Sequence, residues 1–285
     1  MIDETAEEIA DMQTHSSSVV AVKAARALRA LTDRDFPTVD EYHRTLERNS
    51  NALRRANPSH ASLHNTQRDI VDTVTGAAVE SVAEAQTITE EAIARVIEEV
   101  EQGKRRAAEA ATDVLAESGT LLTHDYSTTV LSAIARAVED GEEFTVYVTE
   151  ARPRFLGRKM ARRLAEFETV ETKLIVDSAA GHFLSDVDRV LTGMTCIVDG
   201  TLYNRVGTYP IASVAADQEV PVSVVGSSAK IVDTGFAFEN EQRAASEVMR
   251  EPAEGFSIEN PIYDATPARL LDSIITDDGV IDPSE

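Results

Sequence analysis

Apolar residues recur at helical spacing through the first 118 positions, then regroup into short runs separated by further helical stretches. Ile9, Met12, Val19, Val20, Leu28 and Leu31 mark the first helical segment, whose alanine-rich part covers residues 21–30. Thr38-Val-Asp-Glu41 reads as a capping box opening a helix through Leu46 and Leu53, and Asn57-Pro58-Ser59 ends it. A third helix is expected over residues 63–82. Thr89 is expected to cap a fourth, running from Ile93 to Ala116, with Glu98 to Arg106 on its solvent face. From Gly119 the period changes. Strands are predicted at 120–123, 144–148, 172–176, 189–192 and 220–225, with helices between them such as 127–138 and 158–167. This alternation implies βαβ crossovers and a mainly parallel sheet buried on both faces. The expected class is α/β, with an N-terminal helical domain over 1–118 and a sheet domain over 119–285.

In an open parallel sheet, ligands meet the C-terminal strand ends. The stretch from Asp199 to Thr208 follows a buried run ending at Val198, turns at Gly200 and is expected to open a helix whose N–H groups face an anion. Asn204, Arg205 and Thr208 add polar groups there, although an ordinary strand-to-helix connection reads the same way. Arg152 is placed to clamp a phosphate or to pair with Glu150. Lys230 reaches the same anion or stays solvated. His124 and Asp125 are adjacent, so an extended backbone sends them to opposite faces, which argues against a direct acid–base dyad. Asp125 or Ser127 then caps the following helix. Asp177 contacts a ligand hydroxyl or caps the next helix, and Cys196 reads as a small core residue. No metal-ligand spacing, Walker loop or G-x-G-x-x-G is present.

Charge changes the picture further. Fifty acidic residues against 27 basic ones, five of them lysine, leave the 285-residue chain at −23. Such a surface repels nucleic acid and suits a high-salt cytoplasm, where counter-ions screen self-repulsion. No apolar run approaches the ~20 residues of a membrane span. The acidic start, Met1-Ile-Asp-Glu4, lacks the basic flank of a signal peptide, so a cytoplasmic protein is expected.

Five segments in order carry a resemblance. Leu121-Leu-Thr-His-Asp-Tyr-Ser127, Val146-Tyr-Val-Thr-Glu-Ala-Arg-Pro153, Asp199-Gly-Thr-Leu-Tyr-Asn-Arg-Val-Gly-Thr208, Val220-Pro-Val-Ser-Val-Val225 with Lys230, and Tyr263-Asp-Ala-Thr-Pro267 through Gly279 resemble the initiation factor 2B alpha/beta/delta family. Ribose-1,5-bisphosphate and methylthioribose-1-phosphate isomerases belong to the same family. The resemblance implies a Rossmann-like C-terminal domain, a cleft between the domains, dimerisation or higher assembly, and no metal or redox cofactor. It also implies phosphate contacts at Arg152, Asn204, Arg205 and Lys230. Three positions depart from the isomerases. Asp125 stands where they place a cysteine, Thr195 where they place an aspartate, and His15-Ser16-Ser17 where an Arg-Gly-Ala turn cradles phosphate. With the proton-transfer pair altered, the expected function is a non-catalytic regulatory subunit that senses a phosphorylated sugar or nucleotide and partners with initiation factor 2 subunits. The alternative is a ribose-1,5-bisphosphate isomerase, with Asp125 as substitute carboxylate and Ser16 and Ser17 as the phosphate turn.

Overall fold

The helical period of the N-terminal sequence becomes five helices in the computed structural model, which describes residues 2–11, 17–232, 236, 238–251 and 254–283. They are α1 (Ile2–Asp11), α2 (Ser17–Leu28), α3 (Val39–Ala56), α4 (Ala61–Gly76) and α5 (Val82–Leu115). The chain divides into two compact units, residues 1–102 with 229–238 and residues 103–228 with 239–285, the first boundary falling inside α5. The first unit buries Leu28, Leu31, Tyr42, Leu46, Leu53, Leu63, Ile70 and Ile93 completely, in one apolar cluster. It also holds the short strand β8 (Ile231–Val232).

Local chemistry sets the helix ends. Thr38 caps α3, its hydroxyl accepting the Glu41 N–H at 3.2 Å. The last long helix starts at Val82, well before the expected Ile93, because Ser81 and Glu84 form the capping box. Glu84 accepts the N–H groups of Glu80 and Ser81 at 2.8 and 3.3 Å, and Ser81 Oγ accepts the Glu84 N–H at 3.3 Å. Thr89, the expected cap, is buried within α5. Its hydroxyl donates to the Ala85 carbonyl at 2.8 Å and accepts from Tyr42 Oη at 2.7 Å.

The second unit contains a seven-stranded sheet. Its strands are β1 (Thr120–His124), β2 (Phe144–Thr149), β3 (Val170–Ile175), β4 (Arg189–Gly193), β7 (Val222–Val225), β10 (Ser273–Thr276) and β11 (Gly279–Ile281). Their order is β11-β10-β7-β4-β1-β2-β3, and every pairing is parallel except β10 with β11. The helices α6 (Thr128–Glu139), α7 (Leu156–Leu164), α8 (Ala180–Phe183) and α9 (Thr208–Asp217) follow strands, as crossovers require. Leu121, Val146, Val148, Leu191, Val225 and Ile275 pack with Ile134, Met160 and the end of α5 in one core. The expected α/β class, helices first and a mainly parallel sheet after, is the architecture observed.

One local expectation changes here. The run before Asp199 does not turn directly into a helix. Asp199 and Gly200 both have positive φ, 46° and 69°, and reverse the chain between β5 (Cys196–Val198) and β6 (Thr201–Arg205). Asp-Gly between two short apolar runs is a hairpin turn, and α9 opens only after Gly207. β6 then pairs antiparallel with β9 (Tyr263–Pro267).

Candidate functional site

At the C-terminal ends of β1 and β2 the second unit forms a pocket that is partly open to solvent. Its charged lining is Asp125, Arg152, Arg154, Arg205, Arg243 and Glu247. His124, Pro153, Leu156, Val206, Asn260 and Ile262 complete most of the wall. Four guanidiniums against two carboxylates leave the lining at +2, within a chain carrying −23.

Asp125 leaves β1 with φ of 65°, and its carboxylate accepts from Arg205 Nε at 3.1 Å, both side chains largely buried. Arg205 comes from the end of β6 and lies over the Tyr263 ring at 5.0 Å. Burial opposes its charge, but Asp125 and Tyr263 outweigh that and hold its pKa above the ordinary arginine value. Ser127, not Asp125, caps α6, its hydroxyl accepting the Val130 N–H at 3.3 Å.

The turn after β2 is held by Asp177, whose two oxygens accept the N–H groups of Ala151 and Arg152, each at 2.7 Å. Glu150 pairs with Arg158 at 2.7 Å, so Arg152 is not its partner. Arg152 instead donates from Nη2 to the Val248 carbonyl at 3.2 Å. Two residues on, Arg154 has Nε 3.8 Å from Glu247, while its Nη1 is buried with no hydrogen-bond partner among the described residues. Burial, then the nearby Arg243, lowers its pKa. Arg243 donates from Nε to both Glu247 oxygens at 3.0 and 3.1 Å, with Nη2 2.9 Å from Oε1. Burial disfavours the Glu247 charge, but Arg243 and Arg154 prevail and lower its pKa.

Both ring nitrogens of His124 have partners. Nε2 donates to the Val206 carbonyl, 3.0 Å away, and Nδ1 lies 2.6 Å from the Thr149 hydroxyl. The start of α9 is likewise filled from within. Asp264 Oδ2 accepts the N–H groups of Gly207 and Tyr209 at 2.7 and 3.0 Å, where an anionic ligand was expected. Burial raises the Asp264 pKa, and these N–H groups offset it only in part.

Of the residues expected from the sequence, the cavity brings together Asp125, Arg152 and Arg205. The Asn204 amide donates to Thr192 Oγ1 and Thr208 Oγ1 at 3.2 and 3.1 Å, tying β6 to β4 and α9. Lys230 and Ser17 are buried residues of the first unit, the Ser17 hydroxyl without a partner among the described residues. Ser16 lies outside the described residues. Arg154, Arg243 and Glu247 were not anticipated. Arg154 was legible only as the second arginine of Arg152-Pro-Arg154, whereas Arg243 and Glu247 lie in a stretch with no periodic pattern. Among the described residues, no His, Cys, Asp or Glu group is placed to hold a metal ion, and no helix is long and apolar enough to cross a membrane.

Comparison with known proteins extends this geometry. A model of the initiation factor 2 subunit family matches residues 13–283. The ribose 1,5-bisphosphate isomerase of Haloterrigena turkmenica is 33% identical, covering 98% of this chain and 89% of its own. The methylthioribose-1-phosphate isomerase of Pelotomaculum thermopropionicum is 30% identical over 92% of this chain and 76% of its own. Among solved structures, the translation initiation factor eIF-2B of Pyrococcus horikoshii superposes with a TM-score of 0.82 at 25% identity, covering 99% of this chain and 97% of that one. Six archaeal relatives, 28–33% identical over at least 98% of this chain, carry the name ribose 1,5-bisphosphate isomerase. They overturn the expectation of a non-catalytic regulatory subunit. That expectation gave single substitutions more weight than similarity along the whole chain, and it treated Asp125 as a loss although its carboxylate lines the cavity against an arginine.

Proposed function

The chain belongs to the initiation factor 2 subunit family, and from that membership we propose that it is a sugar-phosphate isomerase, with ribose 1,5-bisphosphate as its substrate and ribulose 1,5-bisphosphate as its product. The observation that supports this best is the Asp125–Arg205 contact inside a cavity of net positive charge. The bond from C1 to the ring oxygen breaks as that oxygen takes up a proton, the hydrogen on C2 leaves as a proton and C1 gains one, while the C2 hydroxyl gives up its own proton and becomes the ketone, so that no net proton is consumed. In this reading Asp125 accepts the proton from C2 and, once protonated, delivers it to C1. Arg205 balances the negative charge that develops on the intervening oxygens. Arg152 is a phosphate-binding cation of the same reading. We place the reaction in a salt-rich cytoplasm, in keeping with the acidic composition, and in a self-associating protein.

The test is direct. Purified protein incubated with ribose 1,5-bisphosphate is expected to yield ribulose 1,5-bisphosphate, and Asp125→Asn is expected to lower turnover about 10²- to 10⁴-fold while circular dichroism stays unchanged. Absence of product from the unmodified protein, or full turnover by Asp125→Asn, contradicts the proposal.

A further inference from the structure

Arg154 and Arg243 are not needed by the proton transfer just described, yet they face the same cavity with Glu247 between them. Glu247 satisfies them unequally. Its oxygens take three close contacts from Arg243, but Arg154 reaches it only at 3.8 Å. The Arg154 Nη1 donor is buried and has no acceptor among the described residues. The side chains of Arg154, Arg243 and Glu247 are 26%, 17% and 21% exposed, so water screens the cluster only partly. A carboxylate has one negative charge and two oxygens in a plane. A phosphate monoester dianion has three terminal oxygens arranged around phosphorus and close to twice the charge, which suits two guanidinium forks converging from different segments.

We propose that Arg154 and Arg243 form a seat for a phosphate group and that Glu247 is its built-in occupant, displaced when the phosphate arrives. Glu247 thus acts as a tethered competitor. It holds two like charges together when no phosphate is bound, and it sets a threshold: a singly charged acid replaces one carboxylate with another and gains little, whereas a dianion also engages the unmatched Arg154 donor. The ligand class is therefore a phosphate ester, with sulfate and inorganic phosphate as minimal probes. The inference rests on the isomerase reading only for the identity of the sugar carrying that phosphate.

Calorimetric titration of the full chain with inorganic phosphate tests it without turnover. If Glu247 occupies the seat about nine-tenths of the time, Glu247→Gln tightens apparent phosphate affinity about tenfold, since the competent fraction rises from about a tenth toward one. Adding Arg154→Gln in that background is expected to abolish the gain. Glu247→Ala, read in the same way, serves if Glu247→Gln does not fold. Phosphate affinity in both Glu247 variants no higher than in the unmodified chain, or a gain that persists without Arg154, overturns the proposal. Those outcomes leave the Asp125 experiment untouched, and an inactive protein in that experiment leaves the titration valid.

Discussion

Gly207 has φ of 114°, and a methyl group added there would come within 2.7 Å of the His124 ring. Since that ring bonds the carbonyl of Val206 next door, the glycine decides how β1 and the start of α9 meet. Gly207→Ala combines a disfavoured backbone with a clash against a buried side chain, and a loss of about 2 kcal/mol in urea unfolding is expected. An unchanged midpoint would show that the turn relaxes freely. Individual site residues differ in how plainly the sequence announced them. Asp125 and Arg152 follow strands whose ends show in the periodicity, whereas Arg205 ends a short strand that the periodicity does not show. Glu247 and Arg243 had no such marker, because Arg243 lies outside any regular element and Glu247 in a helix of four residues, Ala245–Val248, too short to show a repeat.

Among the elements, the helix starts show how little chemistry separates a correct boundary from a misplaced one. Thr38 offers its hydroxyl to the Glu41 N–H, so Thr38→Ala is expected to destabilise the chain by about 1 kcal/mol, measured by chemical denaturation. No change would mean that water satisfies that N–H equally well. Threonine at 89 carries the same side chain but sits mid-helix, where its hydroxyl finds the Ala85 carbonyl and the Tyr42 phenol. The sequence alone does not distinguish these roles, since the partner Tyr42 is 47 positions away. The crossover strands were more legible: the central ones, β1, β2, β4 and β7, are apolar runs buried along most of their length, although the edge strand β3 leaves Leu174 exposed. The Asp199-Gly200 hairpin was missed for the opposite reason, its strands being too short to show a period.

Taken whole, the molecule carries −23, and that charge repels itself. Raising salt from 0.1 M to 1 M shortens the screening distance from about 10 Å to about 3 Å, so the melting temperature is expected to climb over that interval. A flat or falling curve would remove the electrostatic explanation for the composition. Each compact unit has its own apolar cluster, and that of the sheet unit takes in Ala107, Ala108, Ala111 and Leu115 from the end of α5, ahead of the change of pattern near Gly119. The positive cavity gives the bulk charge a further meaning. On the proposed reading, a phosphorylated sugar approaching from afar is turned away by the molecule as a whole and drawn in only by the last few ångströms of arginine. Dilute buffer therefore slows its arrival, whereas brine removes the barrier and loosens the grip at the same time, so capture and release both quicken as the surroundings grow saltier.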